Sequence, residues 1–410
     1  MTSHWTHIAD RFGTPAYVYD LDEVTRAHDL LRAALPQPSR LLYSLKANPH
    51  PAIVRTLTAL GCGAEVCSVG ELATALDAGA APEQVQYTGP GKTDAEVAEA
   101  VKSGVRCFSV DSPTGLDQVT DAVDRADGPA TILLRVNGTA TAPGQGLAMT
   151  GVPSQFGADE AWARRHLPAV RDRIAGFHLF QGTNLADEAA LLAQFDAALQ
   201  TAARLAAATG YRPRVLNLGG GFGVPFARSG ALPRFPALAD VLAARLDAMF
   251  PAWRDGAPAV VFESGRYLTA ACGSLLTRVT DVKRSHGRPV VVLESGVNHL
   301  GGMSGLRRLP PIVPELVAGD GEPRATLREA IIAGPLCTPL DTWARSTDVP
   351  ELRPGDLVRV PNVGAYGLSA SLLAFLGRPA PREVVHAGGA VTEVSQPAVV
   401  RLPAEPIEGT

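Results

Sequence analysis

Residues 40–49 read RLLYSLKANP. A short apolar run that stops at a lysine, an asparagine and a proline predicts a buried strand with a charged group at its C-terminal end. Working outward, the same signature recurs at 62–67 (CGAEVC), 84–88 (QVQYT), 105–110 (VRCFSV), 130–136 (ATILLRV), 174–180 (IAGFHLF), 214–218 (RVLNL) and 258–262 (PAVVF). Ala/Leu-rich helical patterns sit between these runs, among them 93–102, 160–171, 184–209 and 235–249. Eight short strands alternating with helices predict an α/β fold, a closed (β/α)8 barrel, with an open doubly wound sheet as the alternative.

Beyond about residue 270 the texture changes. GSLLTRVTDVKR, RPVVVLES, AIIAGPL, DLVRVPNV and AVVRLP are short strand-like runs broken by Gly and Pro with little helix between them. They predict an antiparallel β domain, which the early strand PAYVYD (15–20) joins from the other end of the chain. The expected division is therefore a barrel over 21–270 and a β domain made of 1–20 and 271–410. A chain of 410 residues is long enough for both. Its net charge of −4 and lack of basic runs argue against a nucleic-acid surface. No run approaches the roughly 18 consecutive apolar residues of a membrane helix. The first residues lack the basic and apolar regions of a secretory signal, and the five cysteines form no CxxC pair, so a reduced cytoplasm is expected.

In a barrel of this kind chemistry gathers at the C-terminal ends of the strands. The unusual residues fall there. Lys46 follows the first strand, Glu65 and Ser68 the second, and Arg135 lies near the end of the fifth. His178 and Phe180 close the sixth, Gly219, Gly220, Gly221 and Gly223 follow the seventh, and Glu263 with Arg266 follow the eighth. Lys46 is one of only four lysines. It reads either as the partner of an acid such as Glu65, or as a desolvated amine of depressed pKa able to form a Schiff base with a carbonyl. The glycine run is a tight turn or a cradle whose backbone N–H groups approach an anion. Val224 breaks the dinucleotide fingerprint, and Gln86 stands where a Walker A loop ending in GPGKT needs glycine. Glu263, following an apolar run, requires a partner, either Arg266 or a protonated heterocyclic nitrogen. Cys337 is ordinarily read as a small buried hydrophobe, but its polar Gly/Pro-flanked loop admits a reactive role.

The motifs YSLKANP, GAEVCSVGEL, GPGKT, SQFG, GFHLFQGTN, LNLGGGFG, ESGRYL, GPLCTPLD and GAYG occur in this order over nearly the whole chain. In this the sequence resembles the fold-type III pyridoxal-phosphate decarboxylases, the group of diaminopimelate and ornithine decarboxylases. The resemblance implies an alanine racemase-like architecture, a TIM barrel that binds pyridoxal 5′-phosphate plus a C-terminal antiparallel β-barrel domain. It implies a homodimer, and Lys46 as the residue that forms the Schiff base. Gly220, Gly221, Gly223, Thr183, Arg266 and Tyr366 would surround the phosphate. Glu263 would bond the pyridine nitrogen, and Glu65, Ser68, Arg135, His178 and Phe180 would lie about the cofactor. Arg266, Cys337, Thr338 and Asp341 would meet the substrate, the cysteine and the position after it reaching the site from the other subunit, and Cys337 would return a proton after carbon dioxide leaves. A carboxylate rather than an arginine at the ring nitrogen deepens the electron sink, favouring decarboxylation over racemisation.

Two departures from the family pattern shape the expectation. Counting back three residues from Thr183 reaches Phe180, so Phe180 is expected to stack on the ring with His178 as its neighbour. Relatives acting on diamino acids follow the cysteine with an acid that pairs with the distal amine. Here Thr338 stands there, and ESGVNHLGGMSGLRRLPP (294–311) matches the family poorly. Losing such a partner costs about 2–5 kcal/mol. The chain is therefore expected to resemble biosynthetic-cluster members that decarboxylate a modified or carrier-bound amino acid, as in the glutamyl-carrier decarboxylase of butirosin assembly. Diaminopimelate decarboxylase, a racemase or epimerase, and a non-catalytic pyridoxal-phosphate protein are the alternatives.

Overall fold

The computed structural model describes residues 4–126, 128–138, 151–301, 313–319 and 324–402. The chain divides into two compact units, one of residues 20–272 with 364–369, the other of 1–19, 273–363 and 370–410.

The first unit is a closed parallel barrel of eight strands, β1 (Arg40–Ser44), β2 (Gly63–Val66), β3 (Val85–Tyr87), β4 (Cys107–Val110), β5 (Thr131–Asn137), β6 (Gly176–His178), β7 (Val215–Asn217) and β8 (Ala259–Ser264). Neighbours pair in chain order and β8 closes on β1, with Glu263 opposite Leu42. Closure leaves no unpaired edge. The open-sheet alternative is thereby excluded. A two-residue strand, Ala158–Asp159, adds to the end of β5.

Local chemistry sets where the helices begin. Thr93 and Glu96 form a capping box on helix Asp94–Lys102, Ser112 caps Pro113–Arg125, and Asp187 caps Glu188–Thr209, which ends on the left-handed Gly210. The helical run expected over 184–209 therefore starts four residues late, because its first residues form a loop in which Asn184 takes a left-handed φ of 59°.

The second unit is a nine-stranded sheet. Its main path runs Thr342–Pro350, Thr326–Ala333, Arg288–Leu293, Gly273–Ser285, Ala16–Asp20, Arg382–Ala387 and Ala390–Ser395. Leu357–Val360 pairs with the long strand Gly273–Ser285, with Leu275 opposite Val360, and with Val317–Ala318. Ala16–Asp20 joins as expected, with Ala16 opposite Leu276. The sheet is not wholly antiparallel, since Arg288–Leu293 and Thr326–Ala333 run parallel with Val290 opposite Ile331. Of the run at 398–403, residues 398–402 form no strand and residue 403 lies outside the described residues. The C-terminal hairpin is instead 382–395, where strand Ala390–Ser395 alternates exposed and half-buried positions. Ile8, Val18, Leu276, Leu357 and Val384 form one core of this unit, with Trp5 and Phe12 packed against it.

Candidate functional site

A cavity of about 370 Å³ opens among the C-terminal strand ends of the barrel, lined by Lys46, Glu65, Cys67, Thr88, Lys92, Arg135, Phe156, His178, Phe180, Thr183, Glu263 and Tyr366 among others. The convergence predicted from strand ends is present.

Lys46 sits in a 3-10 turn just after β1, its side chain 45% exposed toward the cavity. Its Nζ donates to Glu65 Oε2 at 2.9 Å and Oε1 at 3.1 Å. Burial works against the ammonium, but Glu65, with Cys67, Tyr366 and Glu263 behind it, outweighs burial and holds its pKa above the ordinary lysine value. The sequence left open a paired lysine or one of depressed pKa; the structure shows the paired one. Glu65 in turn is buried, which favours protonation, yet Lys46, Ser44 and Thr88 overcome that and lower it to about 2. Cys67 Sγ donates to Glu65 Oε1 at 3.2 Å, and burial followed by the Glu65 charge pushes this thiol up to about 12.

Glu263 closes the far side. Gln86 Nε2 donates to its Oε1 at 3.0 Å and Asn217 Nδ2 at 2.7 Å, while His178 Nε2 stands 3.4 Å from the same oxygen. That last contact is too poorly aligned for a hydrogen bond, and His178 Nδ1 lies 2.8 Å from Ser109 Oγ. Burial alone would raise the Glu263 carboxyl; His178 and Lys46 outweigh burial and the nearby Glu65, holding it below the ordinary value. Among the described residues every hydrogen bond to this carboxylate lands on Oε1. Oε2 is left for a donor in the cavity.

A second hollow adjoins the first, lined by Ser44, Lys46, Phe180, Thr183, Gly220, Gly221, Phe222, Glu263, Gly265, Arg266 and Tyr366 among others. A Cβ on Gly220 would come within 2.2 Å of the Glu263 carbonyl oxygen, and Gly221 has a φ of +110° with a Cβ site 2.7 Å from the Gly182 carbonyl oxygen. Only glycine fits either place. Among the described residues the Gly220 and Gly221 N–H groups donate to no protein atom, and Arg266 has no acidic partner. The Arg266 guanidinium lies 4.7 Å from the Tyr366 ring centroid, and Tyr366 holds a left-handed φ of 55° with its N–H on the Ala47 carbonyl at 2.7 Å. Backbone donors plus an uncompensated guanidinium make an anion cradle. With a free carboxylate oxygen on one side and a lysine on another, the residues fit a phosphorylated pyridine aldehyde.

Not every expected residue joins. Ser68 caps helix Val69–Asp77 by accepting from Glu71 N at 3.1 Å and does not line the cavity. Gly223 is committed to the Leu185 carbonyl at 2.8 Å, so its N–H is unavailable to an anion. Arg135 is buried, its guanidinium 4.7 Å from the Phe156 ring and 5.9 Å from Phe180. Phe180 lines both hollows and His178 only the larger one. Tyr366, expected from the β domain, belongs to the barrel unit. Residue-by-residue reading missed Gln86, Thr88, Asn217 and Cys67. Their polarity inside apolar strand runs was the available signal. In GPGKT, the Lys92 ammonium bonds the Gly89 carbonyl of its own loop and Thr93 caps the following helix.

Cys337, Thr338 and Asp341 lie in the β unit, on the loop between Thr326–Ala333 and Thr342–Pro350. Cys337 is exposed. Asp341, expected to touch substrate, is 2% exposed and faces inward, accepting Val297 N at 2.8 Å and Leu336 N at 2.7 Å. It holds the loop together instead. Of the poorly matching run 294–311, residues 302–311 lie outside the described residues.

Residues 21–270 match the pyridoxal-binding domain family of pyridoxal-dependent decarboxylases. The chain is 33% identical over 398 residues to the L-glutamyl-[BtrI acyl-carrier protein] decarboxylase of Niallia circulans, covering 94% of this chain and 91% of that protein. It is 28% identical to the diaminopimelate decarboxylase of Aquifex aeolicus over 94% of this chain and 89% of that one. Among solved structures it superposes on lysine decarboxylase from Selenomonas ruminantium with a TM-score of 0.79 at 27% identity, covering 94% and 96% of the two chains.

Proposed function

The chain belongs to the pyridoxal-dependent decarboxylases, carboxy-lyases whose cofactor is pyridoxal 5′-phosphate, and from that premise we propose that its substrate is an amino acid whose side-chain end is modified or tethered to a carrier protein. The observation that carries this reading is the loop at Cys337. The residue after the cysteine is the neutral Thr338, and the loop's carboxylate, Asp341, is turned inward and consumed by two backbone N–H groups. A free diamino acid would bring an ammonium with no carboxylate on that loop to receive it, a loss of about 2–5 kcal/mol. The 33% identity to a decarboxylase of a carrier-bound glutamyl group supports the same direction.

In this reading Lys46 would tether the cofactor, Gly220, Gly221, Thr183, Arg266 and Tyr366 would hold its phosphate, and Glu263 Oε2 would accept from its ring nitrogen. When bound, the cofactor supplies an electron sink for the pair left at Cα as carbon dioxide departs. Phe180, His178 and Arg135 line the cavity and would exclude water around the ring. The Cys337 loop completes the pocket of a second copy in a homodimer, and Cys337 Sγ is the proton source that replaces the lost carboxylate. A cytoplasmic setting suits an exposed free thiol. Among the described residues no helix is long and apolar enough to cross a membrane.

The test is carbon dioxide release from aminoacyl groups on a phosphopantetheinylated carrier, set beside free glutamate, lysine, ornithine and meso-diaminopimelate, with the amine product read by mass. The expected result is a preference of at least about 100-fold for the carrier-bound group, some 2.7 kcal/mol in transition-state binding. Turnover of free diaminopimelate at about 1–1,000 per second would overturn the proposal.

A further inference from the structure

We propose that Asn217 is a positioning residue that joins the two ends of the cofactor site, fixing the glycine turn with one atom of its amide and the Glu263 carboxylate with the other. It rests on family membership alone and not on the identity of the substrate.

Asn217 ends β7 and is fully buried. Its Oδ1 accepts the Gly219 N–H at 2.8 Å, at the first residue of the turn, where φ is +67°. Its Nδ2 donates to Glu263 Oε1 at 2.7 Å and to Gln86 Oε1 at 3.0 Å. Gln86 Nε2 donates to Glu263 Oε1 at 3.0 Å, closing a triangle of three side chains from β3, β7 and β8. One backbone group sets the sense of the whole triangle. A backbone N–H can only donate, so the Asn217 atom facing Gly219 is oxygen and the atom facing Glu263 is the NH₂. That NH₂ obliges Gln86 to present its oxygen to Asn217 and its own NH₂ to Glu263. Two neutral donors thus load the same carboxylate oxygen without adding charge, and the second oxygen is left facing the cavity. The main chain reinforces the link, since Glu263 N donates to the Gly219 carbonyl at 2.8 Å. The turn that shapes the anion cradle and the acid that meets the ring are therefore oriented by one amide.

The experiment uses the full-length holoenzyme and two readouts other than activity. The first is the ratio of affinities for pyridoxal 5′-phosphate and pyridoxal, which isolates the phosphate contribution. The second is the ¹⁵N chemical shift of the ring nitrogen in labelled cofactor. N217A is expected to lower the affinity ratio at least about tenfold and to move the ring nitrogen toward its unprotonated shift. Q86L, which removes one donor from Glu263 and leaves Gly219 alone, is expected to move the ¹⁵N shift while keeping the ratio within about threefold of wild type. Should N217A fail to fold, N217D carries the test. It retains an acceptor for Gly219, so its affinity ratio must stay within about threefold, and a tenfold loss would overturn the proposal. An N217A protein that matches wild type in both readouts would do the same.

Discussion

Lys46 and Glu65 show how much of a reactive group's behaviour lies in its neighbour. A lysine on a barrel strand end is expected to lose its charge through desolvation, yet here the bidentate Glu65 carboxylate reverses the sign and raises the ammonium's pKa. Only the neutral amine attacks an aldehyde, so in the role proposed for Lys46 its pairing with Glu65 favours the unreactive ammonium. E65Q should therefore move the midpoint of pyridoxal attachment to Lys46, read as borohydride-trapped adduct against pH, downward by at least about one unit, or 1.4 kcal/mol. An unmoved midpoint would show that Glu65 does not govern the amine. The polar residues hidden in strand runs belong to the same scale. Gln86 is singled out in the sequence reading only as the break in a Walker A pattern and Asn217 not at all, yet distances place both amides on one carboxylate oxygen.

At the scale of elements, the caps separate structure from chemistry. Ser68 sits in a family motif beside Cys67, which lines the cavity, but its hydroxyl oxygen is the N-cap acceptor of helix Val69–Asp77. Losing such a cap typically costs about 1 kcal/mol. S68A should accordingly lower the thermal stability of the protein by that amount and leave pyridoxal 5′-phosphate affinity within about twofold. A tenfold loss of affinity at unchanged stability would restore Ser68 to the cofactor site. Thr93 behaves alike, closing a capping box rather than meeting a ligand. The β6 segment carries the opposite lesson. Register along β6 put His178 beside Asn217 on β7, but which of His178 and Phe180 reaches the adjoining hollow depended on the turn after the strand.

At the scale of the molecule, each unit is assembled from distant stretches of chain. The segment 364–369 belongs to the barrel unit, where Asn48 Nδ2 donates to the Gly364 carbonyl at 2.8 Å and Ser369 Oγ to the Ala47 carbonyl at 3.1 Å. The β unit gathers its N-terminal strand and its C-terminal hairpin around a buried acid, Glu383, whose Oε1 accepts from Tyr19 OH at 3.0 Å. Burial first and Glu393 second push this carboxyl up to about 7, against the opposing Tyr19 hydrogen bond. A carboxyl raised in the folded state binds its proton more tightly there than when unfolded. Its contribution is therefore complete below the unfolded value of 4.5 and fades as pH rises through about 7. E383Q, which keeps the neutral form, should remove that decline. Melting temperatures of variant and wild type should agree near pH 4.5 and separate in favour of the variant at pH 8. Parallel curves across this range would exclude Glu383 as the titrating group.

The barrel was legible because a buried parallel strand must be apolar, short and bounded by breakers, a constraint written locally in RLLYSLKANP and its seven counterparts. The same locality placed Lys46, Glu263 and the glycine run at one end of the strands. The family followed from the order of motifs. What locality cannot specify is pairing across the fold. Only the tertiary structure turned Asp341 inward, spent Gly223 on Leu185, ran Arg288–Leu293 parallel to Thr326–Ala333 and brought Asn217 to Glu263 and Gly219 at once. The reason is physical. Hydrogen bonds are decided within about 3 Å, and the partners that no local pattern could pair, Asn217 with Glu263 and Asp341 with Val297, stand more than forty positions apart in the chain.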